Sequence, residues 1–305
     1  MDERNCRIGR TACAVRAVLA LLCVCMTVLL AREVRMEKET RKRTGLLLEQ
    51  ASELNETLYG LSAELDRVRA DIEFTADIEA RTEAARDRFF DDAGRLEQMV
   101  TEGKTDVRIA YLTFDDGPYE LTRDYLEVLS RYEVLATFFQ RGRDWDRFGE
   151  IYEAVRDGCH TMGNHTYSHK IRNGIYVSAD AFMADTLKNR QYLQEKLGVT
   201  TRVLRFPGGS STAGRLKQEI IEGLREEGYA YVDWNNATGD GMYDLSAEAF
   251  RDNVLNNTNG IKLMVVLMHD YNRNTLAALP EIIEGLQAQG YVFLPLFYDS
   301  MAVNR

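Results

Sequence analysis

The amino-acid sequence predicts an α/β fold, a distorted or incomplete (β/α) barrel, in the carboxy-terminal two-thirds of a 305-residue chain. Two observations carry this expectation. After Gly103, short β-rich runs alternate with amphipathic stretches of helical length, the pattern of parallel strands joined by helical crossovers. Polar residues suited to chemistry also stand at the carboxy-terminal ends of those runs, where (β/α) barrels collect their sites.

The elements are expected in this order. The run VRIAYLTF forms a strand over 107–114 and leads to a helix over 121–131. LATFF gives a strand over 135–139, followed by a helix over 144–157. A third strand, 160–163, precedes the long helix 179–197, and a fourth, 203–206, precedes a helix over 214–227. A fifth, 229–232, leads to a helix over 247–257, and the apolar run 263–268 to a helix over 276–289. A last strand over 291–294 completes the set. Seven such units in roughly 200 residues fall short of a regular eight-stranded barrel, hence the expectation of an incomplete one.

Hydrophobic residues make up 45% of the chain, which is ordinary for a folded protein. The formal net charge of −10, with no basic stripe in the globular part, argues against a nucleic-acid partner. Cys6, Cys13, Cys23 and Cys25 lie near the amino terminus and leave only Cys159 further on, so the globular part is expected to hold no internal disulfide. An extracytoplasmic address is compatible with that, since disulfides are common there but not obligatory.

From Ala17 to Ala31 the chain reads AVLALLCVCMTVLLA, without a charge, and Thr11 to Val15 extend it if Arg16 reaches toward the interface. No small-x-small cleavage site follows, so an uncleaved transmembrane anchor is expected rather than a signal peptide. Arg4, Arg7 and Arg10 on one flank are matched by Arg32, Arg35, Lys38 and Arg41 to Arg43 on the other, which leaves orientation to be argued from function. Leu47, Ala51, Leu54, Leu58, Leu61, Leu65, Val68 and Ile72 then recur at alternating steps of four and three, a heptad seam. The expected organisation is a cytoplasmic tail and anchor over 1–33, a helical coiled-coil stalk over 34–104 through which copies of the chain pair, and a catalytic domain over 105–305.

The chemistry begins at TFDDGP, where Asp115 and Asp116 follow the first strand. Adjacent carboxylates removed from water call for a cation beside them, although DDGP alone is also good turn chemistry. His165 and His169 in HTYSH have the four-residue spacing that lets two imidazoles reach one ion. Two histidines and one carboxylate suit a divalent metal, zinc foremost, with cobalt, manganese, iron or nickel as alternatives. If Asp116 is the ligand, Asp115 stands where it can take a proton from water, held by a donor fork such as Arg205. Arg205 opens RFPGG, whose glycine turn offers a backbone N–H to a developing oxyanion, and His269 ends an apolar strand where an imidazolium can act as acid.

TFDDGP, HTYSH, RFPGG, DWNNATGD and LMH, in this order, resemble the motifs of the polysaccharide deacetylases, the NodB-like carbohydrate esterases. The chain resembles in particular the membrane-anchored peptidoglycan N-acetylglucosamine deacetylases, over about Val107 to Leu296. The resemblance implies Asp115 as general base, and Asp116, His165 and His169 as metal ligands. It implies Arg205 as the arginine that orients the base, and Gly208 as the oxyanion donor. Leu267 matches the leucine lining the acetyl-methyl pocket, His269 the general acid, and Asp240 the aspartate that tunes it. Trp234 begins the fourth motif and is expected at the substrate groove, whereas Gly241 stands where many relatives carry a tryptophan. The implied reaction is removal of N-acetyl groups from N-acetylglucosamine residues of a cell-wall polysaccharide, at the membrane and with the catalytic domain extracytoplasmic. The alternatives are another N-acetylated polymer, chitin-like or exopolysaccharide, and a glycan-binding membrane protein without activity. His160 matches no role and is expected in the core.

Overall fold

A computed structural model describes residues 76–304 of the chain, with side chains from Arg88 onward. Both the apolar segment 17–31 and the heptad seam 47–72 lie outside the described residues. Among those described, no helix is long and apolar enough to cross a membrane.

A helix, α1 (Ala76–Thr101), leads into β1 (Arg108–Asp115), α2 (Thr122–Arg131), β2 (Thr137–Gln140), α3 (Trp145–Asp157) and β3 (Thr161–Asn164). A short π-helical turn then precedes α4 (Ala179–Leu197), β4 (Val203–Leu204), α5 (Lys217–Glu226) and β5 (Ala230–Tyr231). The chain finishes with β6 (Asn236–Ala237), α6 (Ala247–Leu255), β7 (Leu263–His269), α7 (Arg273–Ala288) and β8 (Tyr291–Phe293). The named strands pair in parallel in the order β5-β4-β3-β2-β1-β7-β6, and β8 also pairs with β1. One edge of β1 is shared: β8 lies along Arg108 to Ala110 and β2 along Thr113 to Asp115. Among the described strands β5 and β6 do not pair, so the curled sheet is the incomplete parallel barrel that the alternating pattern predicts.

Period-two alternation decides which residues face the helices. Ala110, Leu112 and Phe114 of β1, Phe138 of β2 and Met264, Val266 and Met268 of β7 form one buried layer with Leu129 of α2 and Leu279, Ile282 and Ile283 of α7. Each large apolar side chain buried there contributes roughly 1.5–3 kcal/mol. The alternate residues Tyr111, Thr113 and Asp115 are thereby turned to the interior of the curl, as are Phe139, Leu267 and His269. His160 is buried as expected, where its Nδ1 accepts the Ala136 N–H at 3.1 Å, and burial pushes its pKa down to about 4.

The end of α1 from Phe90 belongs to the same compact unit as the sheet. The Phe90 ring lies 5.2 Å from that of Phe297, and fully buried Glu97 accepts the Tyr111 hydroxyl at 2.5 Å, the Met301 N–H at 2.7 Å and the Ser300 hydroxyl.

Three expectations need correction. Strand β6 is additional, two residues inside a stretch read as loop. Asn235 secures it by exchanging side-chain bonds with the Leu263 carbonyl and the Val265 N–H, each at 2.8 Å. The expected helix over 214–227 begins later, at Lys217, because Gly214 at φ +54° kinks a 3-10 segment (Ser210–Leu216) that precedes α5. The last helix begins earlier than expected, at Arg273, because Asn272 caps it by accepting the N–H of Asn274 at 2.9 Å and of Thr275 at 3.2 Å.

Candidate active site and metal centre

Asp115, Asp116, His165, His169, Arg205, Asp240 and His269 meet at the carboxy-terminal end of the sheet. Register explains much of this. Asp115 is paired with Phe139 of β2 on one side and with His269 of β7 on the other, and Thr113 with Leu267.

Asp116, one residue past the strand, has φ +73°, and His169 has φ +55°. Both lie in the left-handed region that non-glycine residues rarely adopt, which turns these side chains inward from loops. One donor atom each from Asp116, His165 and His169 lies within 4.8 Å of the others. Asp116 Oδ1 is 2.9 Å from His169 Nε2 and 3.4 Å from His165 Nε2.

The His165 Nδ1 faces the Arg205 carbonyl oxygen at 2.8 Å, and because a carbonyl only accepts, that nitrogen carries the proton. The Nε2 lone pair of neutral His165 therefore points at a carboxylate oxygen that is buried and has no hydrogen-bond donor. Acceptor facing acceptor in a buried site is stable only around a cation, so these residues fit a divalent metal.

Asp115 lies alongside, its Oδ1 accepting Arg205 Nη1 at 3.0 Å and its Oδ2 3.8 Å from His165 Nε2. Arg205 is fully buried. It also donates to Thr113 Oγ1 at 2.6 Å and to the Val232 and Asp233 carbonyls, and its guanidinium sits 4.3 Å over the Phe139 ring. A Cβ at Gly163 would stand 2.4 Å from Phe139, so glycine is what lets that ring lie beneath the arginine.

On the opposite flank Asp240 grips His269 twice. Its Oδ1 is 2.8 Å from Nδ1, and its Oδ2 accepts the His269 backbone N–H at 2.9 Å and the Thr275 hydroxyl at 2.7 Å. Burial alone would lower the imidazole pKa, but the hydrogen bond and charge of Asp240, aided by Asp115 and Asp116, push it up to about 9.

Gly208 and Gly209, at φ +75° and +84°, turn the chain beside this centre. The Gly209 N–H is consumed by the Phe206 carbonyl, whereas that of Gly208 meets no acceptor among the described residues. Trp234 packs on this turn: a Cβ at Gly209 would lie 3.1 Å from its ring. Half-buried Leu267 lines the interior, with its carbonyl accepting the Thr238 N–H at 3.2 Å. Gly241 has a steric reason, because a Cβ there would come within 2.5 Å of His269 Cε1.

Sequence reasoning missed Thr113, Thr275 and Asp270. Asp270 is fully buried directly after His269 and accepts the Thr122 hydroxyl at 2.5 Å. Burial pushes its carboxyl up to about 7, with the Asp116 charge adding to the effect, so near neutrality it is about half protonated. Its place beside a strand-end histidine was the only signal available.

The profile of the family described as polysaccharide deacetylase matches residues 102–232. A peptidoglycan-N-acetylglucosamine deacetylase from Bacillus cereus is 31% identical over 198 residues, which cover 61% of this chain and 68% of the relative. A chitin deacetylase from Colletotrichum lindemuthianum is 32% identical over 197 residues, covering 59% of this chain and 74% of that protein. Among solved structures, the catalytic domain of peptidoglycan N-acetylglucosamine deacetylase from Eubacterium rectale superimposes with a TM-score of 0.60 at 35% identity, covering 65% of this chain and 93% of that one.

Proposed function

The chain belongs to the polysaccharide deacetylase family, and from that premise we propose that it is a metal-dependent hydrolase removing N-acetyl groups from N-acetylglucosamine residues of peptidoglycan. The observation that carries the reading is the convergence of Asp116, His165 and His169 between Asp115, held by Arg205, and His269, held by Asp240.

Asp116 Oδ1, His165 Nε2 and His169 Nε2 would hold the ion, zinc foremost and cobalt, manganese, iron or nickel as alternatives. Once bound, the metal supplies Lewis-acid polarisation of the amide carbonyl and of the attacking water. Asp115 takes the proton of that water through the oxygen not engaged by Arg205, whose fixed guanidinium keeps the carboxylate aimed. The Gly208 N–H donates to the oxyanion that develops on the acetyl carbonyl. His269, protonated on both nitrogens and fixed through Nδ1 by Asp240, gives its Nε2 proton to the departing sugar amine, and acetate leaves. Leu267 borders the space for the acetyl methyl group, and Trp234 walls the groove beyond Gly209.

The similarity to chitin deacetylase favours a second reading, action on a chitin-like polymer. The address follows from substrate: an anchor over 17–31 and a stalk over 34–104 suit a single-pass protein whose catalytic domain reaches the cell wall from the outer face of the membrane. A reporter fused to the carboxy terminus and active only in the cytoplasm would refute that placement.

The test is to purify the full chain, quantify bound transition metals, and follow free amines released from peptidoglycan and from neutral N-acetylglucosamine oligomers. Release from peptidoglycan that vanishes in Asp115→Asn is expected. Bound metal without amine release on any glycan would overturn the reading.

A further inference from the structure

One cation at the mouth of the site takes no part in the chemistry just described. Arg141 follows the end of β2, two residues after Phe139, whose ring lies under Arg205 and 6.4 Å from that of His165. Both backbone polar groups of Arg141 are fixed: its N–H donates to the Gly117 carbonyl at 3.1 Å, and its carbonyl accepts the Tyr152 hydroxyl. Its guanidinium is treated differently. Nε is buried without a hydrogen-bond partner, and no carboxylate among the described residues pairs with the side chain. A buried donor left unmade costs about 1–3 kcal/mol.

The surroundings indicate what is missing. Arg143 stands next along the chain, with its guanidinium 4.1 Å over the Tyr119 ring and its Nε donating to the Pro118 carbonyl at 3.0 Å. Tyr119 and Tyr271 meet edge to face at 5.2 Å, and the Tyr271 ring lies 5.2 Å from that of His269. Burial and the charge of Asp116 push the Tyr119 hydroxyl up while Arg141 and Arg143 oppose them, so both guanidinium groups lie near enough to that hydroxyl to act on it. The rim beside the proposed acid thus offers two aromatic faces suited to sugar rings and a rigidly mounted, unneutralised arginine fork suited to a carboxylate.

We propose that Arg141 binds a carboxylate carried by the sugar next to the one being deacetylated, which makes this a deacetylase selective for acidic N-acetylated glycans over neutral ones. The proposal rests on the deacetylase reading and narrows its substrate class. Arg141 is the specificity-determining residue, and Arg143 adds field without a free fork, because Pro118 and the Tyr119 ring already engage it.

The experiment uses the full chain and three substrates: peptidoglycan strands with free carboxylates, the same strands with carboxylates amidated, and neutral N-acetylglucosamine oligomers. For the native protein, amidation is expected to lower kcat/KM about 10- to 100-fold, mainly through KM, an effect that shrinks as salt rises. In Arg141→Gln the ratio of kcat/KM on free to amidated strands should collapse toward one, and Arg141→Lys should recover part of it. Equal turnover of free and amidated strands by the native protein would overturn the proposal, whatever the variants do. So would an Arg141→Gln variant that loses activity on all three substrates in equal proportion. Native protein that releases amine from none of the three would instead defeat the deacetylase reading itself.

Discussion

Asp115 and His269 are register partners on adjacent parallel strands, β1 and β7. The proposed base and acid are therefore held at the spacing of paired strands, about 4.8 Å. Backbone hydrogen bonding, rather than a flexible loop, fixes how far apart the two proton transfers occur.

The Asp240 contact with His269 sets the alkaline limit. With the imidazole pushed up to about 9, the acid is charged at neutral pH, and kcat should fall as pH rises through that value. Asp240→Asn should move this limb at least one unit toward the ordinary histidine value near 6.5 and lower kcat at pH 8 by about 10²-fold or more. A pH–rate profile reads both. The stability linkage has the same origin: a folded pKa raised above the unfolded one adds stability that is complete below about 6.5 and is lost as pH rises through about 9, at most about 3 kcal/mol. Melting curves between pH 6 and 10 should show that decline in the native chain and not in Asp240→Asn.

Asp115→Asn should lower amine release by about 10²–10⁴-fold while metal content is retained. It should also destabilise the fold by about 3 kcal/mol, because fully buried Arg205 loses the carboxylate with which it forms an ion pair. Denaturant titration separates the two losses. Asp115→Asn combined with Arg205→Met should recover stability and not activity.

Gly241→Ala should lower kcat by about 10–100-fold with little change in KM. The added Cβ would stand 2.5 Å from His269 Cε1, and the ring is gripped by Asp240 at both its side chain and its backbone. Substrate binding measured on Asp115→Asn and on Asp115→Asn combined with Gly241→Ala should be equal; a large loss would mean that Gly241 shapes the groove instead.

Metal removal by chelation should abolish amine release and lower Tm, since buried His165 and half-buried Asp116 and His169 would be left facing one another. His169→Gln should raise the metal Kd by at least about 10²-fold. Affinity should also weaken on acidification, because a protonated imidazole has no lone pair for the metal. Isothermal titration with zinc against pH checks each point.

Tyr111→Phe should cost about 1–3 kcal/mol of stability, because it strips a donor from fully buried Glu97, yet leave kcat unchanged. Paired unfolding and rate measurements test this.

The sequence announced the inward residues well because strand alternation is strict: once Phe114 is assigned to the helix-facing layer, Asp115 must face in. Asp270 escaped notice by the same rule, since alternation turns it away from the side to which His269 points, and only the coordinates bring it back under Gly117, where a Cβ would meet its Oδ2 at 2.7 Å. Strand β6 was illegible because side-chain amides such as Asn235 and Asn236 hold a two-residue segment in place, and no periodicity develops over two residues. Arg141 reads in sequence like any surface arginine. What distinguishes it is a buried Nε without a hydrogen-bond partner among the described residues, which spacing along a chain cannot express.

Glu97 joins the incoming helix to Tyr111 and to Ser300 and Met301, four residues upstream of Asp115 on the same strand, about 13 Å from the reacting end. From Phe90 onward the end of α1 is therefore locked, through one buried carboxylate, to the closing residues of the chain and to the base of the central strand, at the far end from the ligand cluster.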